Sequence, residues 1–416
     1  MSMAFMSNLH MPWPLPAAAT VLKKIICLPN LVLLAAVLNG MVTVRNVVLF
    51  ILSLQICMAV AEPTIAAGGF VTPSVEVASA KPFLTLKTTQ FGPRIEAASV
   101  DKFGNIYATD FAEDGQSSRS ALGQIADGFY DLDQEEFFED AKATFNGLRF
   151  LPSAGRSRRA LAADTSNHRV LQIEQSRDGA KPSSRVFCAD PAMVEPNDLA
   201  VAYRAGRIYT SGQNYTATTR VGDGDLWMCA APASFFDAQR SRITRPVKAV
   251  RLGVFGRTNG IEVSPDERTL YLSEAFNKDS VVVSNKIWQF AIDPKSGLVA
   301  SKRLFVDFQK LDGSGAVDAD GMRCDVHGNL FVTRNGNGQV LKFSPQGKLL
   351  LRINLASIVA ATNLEFGGPF GKTLFVVGQC NDGSPFGQGK GCADVWRGNL
   401  APGHAFRNLK YIPLSA

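Results

Sequence analysis

From about residue 96 onward, one phrase recurs: an acid or amide side chain, a short apolar run, a turn, then a second apolar run. Copies open at Glu96 (EAASVDKFGNIYATDF), Asn146, Asn197 (NDLAVAYRAGRIYTSG), Asn259 (NGIEVSPDERTLYLSEA), Asp320 (DGMRCDVHGNLFVTRN) and Asn363. Repeats of roughly 40 to 60 residues with strand-turn-strand content cannot bury their apolar faces singly, and they stack radially as β-propeller blades. The expectation is an all-β, six-bladed propeller of four-stranded antiparallel blades around a central channel. The clearest blade runs from Asp320 to Ile353, with Gly-bearing turns at His327-Gly328-Asn329, Asn335-Gly336-Asn337-Gly338 and Ser344-Pro345-Gln346-Gly347. The acidic segment 114–142 departs from the pattern. It reads as an insertion holding the start of a short helix in DQEEFFEDAKATF. The last blade is expected to draw on residues near a terminus to close the ring.

Composition supports this. The 36 glycines and 21 prolines in 416 residues suit many short strands and turns. Lys and Arg number 43 against 37 Asp and Glu, and the resulting +6 is dispersed, so no nucleic-acid surface is indicated.

The N-terminal region reads as targeting. Arg45 supplies a positive start, Val47 to Met58 an apolar stretch, and Ala59-Val60-Ala61 a small-residue cleavage site, giving a signal peptide at 41–61 with residues 1–40 an upstream extension. The competing reading is a membrane anchor across 25–61, interrupted by Asn39, Arg45 and Asn46. Residues 62–85 read as a linker and 86–416 as the propeller. Secretion or periplasmic export permits disulfides. Cys380 and Cys392 flank a Gly-rich loop, Cys188 with Cys229 forms a second candidate pair, and Cys324 is expected to be a buried free thiol. Asn214-Tyr215-Thr216 is a glycosylation sequon.

Inner strands run along a propeller's channel, so the opening residues Glu96, Asn146, Asn197, Asn259, Asp320 and Asn363 are expected to converge. Two carboxylates and several amides form an oxygen-only environment suited to Ca²⁺, with Mg²⁺, Mn²⁺ or Zn²⁺ as substitutes. Asn-Gly and Asp-Gly are also turn dipeptides, which gives each amide a purely structural alternative. Glu96 has no such alternative, and burying its carboxylate without a cation or hydrogen bond is costly. No G-x-S-x-G, H-E-x-x-H or phosphate-loop motif occurs. His168, His327 and His404 stand apart in or near polar turns and are expected at the surface.

Over roughly residues 90 to 400 the chain resembles the gluconolactonase, regucalcin and luciferin-regenerating enzyme family. The resemblance rests on Pro196-Asn197-Asp198, Thr258-Asn259-Gly260-Ile261 with Ser264-Pro265-Asp266, and Asp320-Gly321-Met322 with Gly328-Asn329-Leu330. It implies one catalytic divalent cation, usually calcium, held by Glu96, Asn259 and Asp320. Asn197 would lie at or next to the metal, holding substrate or water, and Asp320 would also serve as general base or nucleophile. Glu195 stands where sugar-lactone members often carry arginine, and Glu96-Ala97-Ala98 departs from the family's Glu-Gly-Pro. Glu195, Asn146 and Asn363 are substrate-contact candidates. The expected function is hydrolysis of a lactone or related ester by a monomer acting on a small molecule. The alternatives are a propeller that binds a ligand without turnover, an arylesterase or organophosphate hydrolase on the same site, and a metal-free strictosidine-synthase-like enzyme, against which the paired acids argue.

Overall fold

A computed structural model describes residues 75–111, 121–126, 134–237 and 243–411. The targeting segment, the proposed anchor and the first part of the linker lie outside these residues. Among the described residues no helix is long and apolar enough to cross a membrane.

The strands form an all-β propeller, as the repeat required. Blade 1 comprises Ile95–Val100, Ile106–Asp110, Ala121–Ala126 and Glu136–Glu139; blade 2 comprises Phe145–Phe150, Arg158–Asp164, Arg169–Gln175 and Ser183–Ala189. Blade 3 holds Pro196–Ala202, Arg207–Gln213, Gly224–Ala230 and Ala249–Phe255, and blade 4 holds Arg257–Val263, Thr269–Lys278, Val281–Ile292 and Val299–Asp307. Blade 5 is Asp318–Cys324, Leu330–Asn335, Gln339–Phe343 and Leu349–Asn354. Blade 6 is Ile358–Gly367, Thr373–Cys380 and Gly391–Trp396, completed by Lys81–Leu84. The innermost strand of each blade touches the next in order, and that of blade 6 touches that of blade 1.

Closure therefore uses the N-terminal side. Lys81–Leu84 is the outer strand of the last blade, antiparallel to Gly391–Trp396, so the ring is tied by strands from opposite ends of the chain. Glu76–Ser79 adds a parallel fifth strand outside Leu349–Asn354. Residues 76–84, assigned by sequence to the linker, are thus strands of the propeller sheets.

The helix expected within DQEEFFEDAKATF is a strand, Glu136–Glu139, paired to Ala121–Ala126. Tertiary packing overrides local propensity here. Phe138 lies 5.9 Å from Phe145, and Phe137 lies 5.5 Å from Tyr107, placing both rings in the wall between blades 1 and 2. Cys188–Cys229 joins blade 2 to blade 3, Cys380–Cys392 staples two strands of blade 6, and Cys324 is a buried free thiol, each as expected.

Candidate functional site

The inner strands break register at one level. In blades 1 to 5 the pairing with the second strand shifts between Glu96 and Ser99, Phe145 and Leu148, Pro196 and Leu199, Thr258 and Ile261, and Ala319 and Met322; in blade 6 it shifts between Ala361 and Asn363. A bulge leaves residues off the ladder and re-aims their side chains. Asn146, Asn197, Asn259, Asp320 and Thr362 sit inside these irregularities, and Glu96 sits at the edge of its own.

The Asn-Gly and Asp-Gly pairs are accordingly strand residues, not turns. Their glycines permit close contact between neighbouring inner strands. A Cβ on Gly260 would lie 2.0 Å from the Asp320 carbonyl oxygen, and one on Gly321 would lie 2.4 Å from the Asn363 amide.

A cavity of about 820 Å³ opens onto this ring, and Glu96, Asn146, Asn197, Asn259 and Asp320 all line it. Glu195 also lines it, exposed and with φ of +31°, in the left-handed region that non-glycine residues seldom adopt. Asn363 is the correction. It is absent from the lining, and Thr362 takes its place. Asn363 Oδ1 accepts from the Leu364 N–H at 3.0 Å, as Asp198 Oδ1 accepts from the Leu199 N–H at 2.8 Å, so Asn363 matches Asp198 and not Asn197. Thr362 Oγ1 donates to the Ile95 carbonyl at 2.6 Å, tying blade 6 to blade 1.

Burial is the main cause of the altered acidity. It holds the Glu96 carboxyl well above the usual carboxylate range; Asp320 and Asp198 add repulsion, and Arg94 partly offsets them. Burial likewise pushes Asp320 up to about 7, against the hydrogen bond from Asn335 and the pull of Arg257, with repulsion from Asp318 and Asp198. Asn335 Nδ2 donates to Asp320 Oδ2 at 2.9 Å. Beside them Arg257 holds Asp318 through both oxygens at 2.8 Å, and Asn285 Nδ2 donates to Asp318 Oδ1 at 2.8 Å.

This donor set fits a hard divalent cation. Asp320 raises the proton affinity of Glu96, and two such buried carboxylates gain by sharing positive charge. The side chains of Asn197 and Asn259 make no hydrogen bond to other described residues, so their amide oxygens are available as ligands. No group of three or more His, Cys, Asp or Glu that could hold a metal ion converges among the described residues, so any ligand set here pairs two carboxylates with amides.

Next to the ring lies an ionic layer that sequence reading missed. Arg149 contacts Asp198 at 3.3 Å; Arg323 contacts Asp198 at 3.4 Å and Glu365 at 3.2 Å, all four side chains being at most 3% exposed. Glu262 joins them; burial raises its carboxyl to about 7 despite Arg149 and Arg323. Part of its signal was present in the sequence: Arg149, Glu262 and Arg323 each stand three positions after the aligned residue of their strand, whereas Glu365 does so only from Thr362. With a bulge between, that spacing returns the side chain to the same side of the strand.

The three histidines divide. His327 is exposed and His168 half-buried, whereas His404 is 6% exposed, contrary to expectation. It opens the helix His404–Tyr411, with its ring 6.2 Å from that of Tyr203.

Comparison with known proteins agrees with the propeller fold. Residues 187–379 match the SMP-30/Gluconolactonase/LRE-like region family. A gluconolactonase of Zymomonas mobilis is 31% identical over 183 residues, 44% of this chain and 47% of the relative. A regucalcin of Xenopus laevis is 29% identical over 125 residues, 30% of this chain and 38% of the relative. The chain thus spans about half or less of the curated relatives it matches. The crystal structure of a calcium-binding protein, regucalcin, from Agrobacterium tumefaciens superimposes with a TM-score of 0.55 at 15% identity, over 79% of this chain and 98% of that one, a likeness of fold. Residues 187–379 of this propeller thus match the SMP-30/Gluconolactonase/LRE-like region family, and the fold of the chain is like that of regucalcin.

Proposed function

We propose that this propeller is a hydrolase of a lactone or related ester that uses a divalent cation, calcium foremost, held by Glu96, Asn197, Asn259 and Asp320. The observation that carries this reading is that two mutually repelling carboxylates, Glu96 and Asp320, open into one cavity with two amides that make no hydrogen bond to other described residues. The likeness to gluconolactonase supports the reaction class, and the relatives named regucalcin support calcium. When bound, the cation supplies Lewis-acid polarisation of the ester carbonyl.

The chain's own residues do the rest. Asp320, oriented by Asn335 through one oxygen, takes the proton of the attacking water on Oδ1. The ring C–O bond then breaks and the alkoxide takes a proton, giving a hydroxy acid. Asn197 and Asn146 hold substrate or water, and Glu195 contacts the outer part of the substrate. The two disulfides support action in an oxidising compartment, secreted or periplasmic.

Acid release from aldonolactones, acyl lactones and aryl esters, measured with calcium and with EDTA, tests this. Turnover of at least one class that calcium supports and EDTA abolishes is expected. Absence of any turnover, or turnover indifferent to EDTA, would overturn it.

A further inference from the structure

At the cavity mouth two aromatic side chains are both exposed and braced. Tyr215 and Phe386 line the cavity and are 58% and 67% exposed, so both rings present apolar surface at its mouth. Phe386 stands on the loop between Cys380 and Cys392, closed by their disulfide. Gln379, 1% exposed, spends its amide on that loop: Nε2 donates to the Pro385 carbonyl at 2.8 Å and Oε1 accepts from the Gly387 N–H at 2.8 Å. Tyr215 is fixed differently, with the Arg257 guanidinium 4.9 Å from its ring centroid.

Two polar groups beside these rings are committed internally. Gln379 holds the loop, while Arg257 is occupied by Asp318 at 2.8 Å and by Gln213 at 3.3 Å. They are poorly placed to read the hydroxyls of a sugar. The cavity, about 820 Å³, falls within the ~300–1,000 Å³ of pockets that bury drug-sized ligands, which leaves room beyond a small ring. Rigid, pre-positioned aromatics grip an apolar group at little ordering cost.

We infer that Tyr215 and Phe386 form a clamp for an apolar substituent, so that the substrate is a lactone or ester carrying an alkyl or aryl group. This rests on the hydrolase reading for the reacting centre, but the clamp itself is read from the rim alone.

The test uses the full-length protein with calcium and a lactone series of one ring size and lengthening alkyl substituent, with an aldonolactone for comparison. Expected is a rise in kcat/KM of about fourfold for each methylene buried, and a longest-to-shortest ratio that falls at least tenfold in Tyr215→Ala and Phe386→Ala. Both side chains are exposed, so the fold should survive, and unchanged thermal unfolding would verify that. A matching series of non-hydrolysable lactams, measured by calorimetry, reads the clamp without turnover. Lactam affinity that rises with chain length and flattens in the variants supports the clamp even if no lactone is hydrolysed, an outcome that would sink only the hydrolase reading. Affinity indifferent to chain length, or an aldonolactone preferred over every alkyl lactone, would overturn the clamp.

Discussion

Asn335 Nδ2 donates to Asp320 Oδ2 across 2.9 Å, so the innermost strand of blade 5 has its acid oriented by the strand beside it. One carboxylate oxygen is thereby fixed while the other is left for chemistry. Replacement of Asp320 by Asn should leave the calcium-free thermal unfolding profile intact and lower lactone or ester turnover about 100-fold or more. Asn335→Ala should cost roughly 10-fold, through misorientation. Steady-state rates at saturating calcium decide, and undiminished turnover by Asp320→Asn would remove Asp320 from its assigned role.

Calcium should stabilise the folded chain. At a concentration 100 times its dissociation constant, a ligand of the native state adds about 2.7 kcal/mol. That corresponds to a rise in Tm of several degrees, reversed by EDTA and lost in Glu96→Gln, which removes one of the two ring charges. Differential scanning fluorimetry suffices, and a melting temperature indifferent to calcium would count against a cation in the ring.

The ionic layer around Arg323 should matter to stability. Arg323 Nη2 and Nη1 donate to the carbonyls of Ala98 at 2.8 Å and Met322 at 2.6 Å, besides its contacts with Asp198 and Glu365. Arg323→Met strands the buried Glu365 carboxylate and leaves Asp198 with Arg149 alone, and should cost about 3–5 kcal/mol. Urea unfolding measures this; a loss below about 1 kcal/mol would mean that the layer is readily replaced.

His404 should make stability depend on pH. Burial, then Arg204, pulls its pKa down to about 4, below the ~6.5 of an unfolded histidine. The unfolded chain therefore takes up a proton first as pH falls, so stability present above about 6.5 is lost progressively down to about 4, by about 3 kcal/mol in all. Other groups titrate over the same range, so the comparison is between the parent chain and His404→Gln. Denaturation midpoints at several values between pH 7.5 and 4 should fall more steeply for the parent; equal slopes would contradict this account.

The repeat, the strand-turn content and five of the six ring positions were legible from residue order, because apolar alternation and turn chemistry are local properties. Glu96, Asn146, Asn197, Asn259 and Asp320 could be aligned by the phrase they open. The sixth could not: Thr362 and Asn363 both precede an apolar run, and only the register shift after Ala361 places Thr362 at the cavity. The same bulges put Arg149, Glu262, Arg323 and Glu365 three residues beyond their ring partners, where an ideal strand would turn them to the opposite face. The strand at Glu136–Glu139, the burial of His404 and the closing of blade 6 by Lys81–Leu84 likewise depended on neighbours distant in the chain. Residue order by itself determined which side chains recur and at what period. Which of them face one cavity was decided by the tertiary structure, because a one-residue shift in pairing turns a side chain from the channel into the wall.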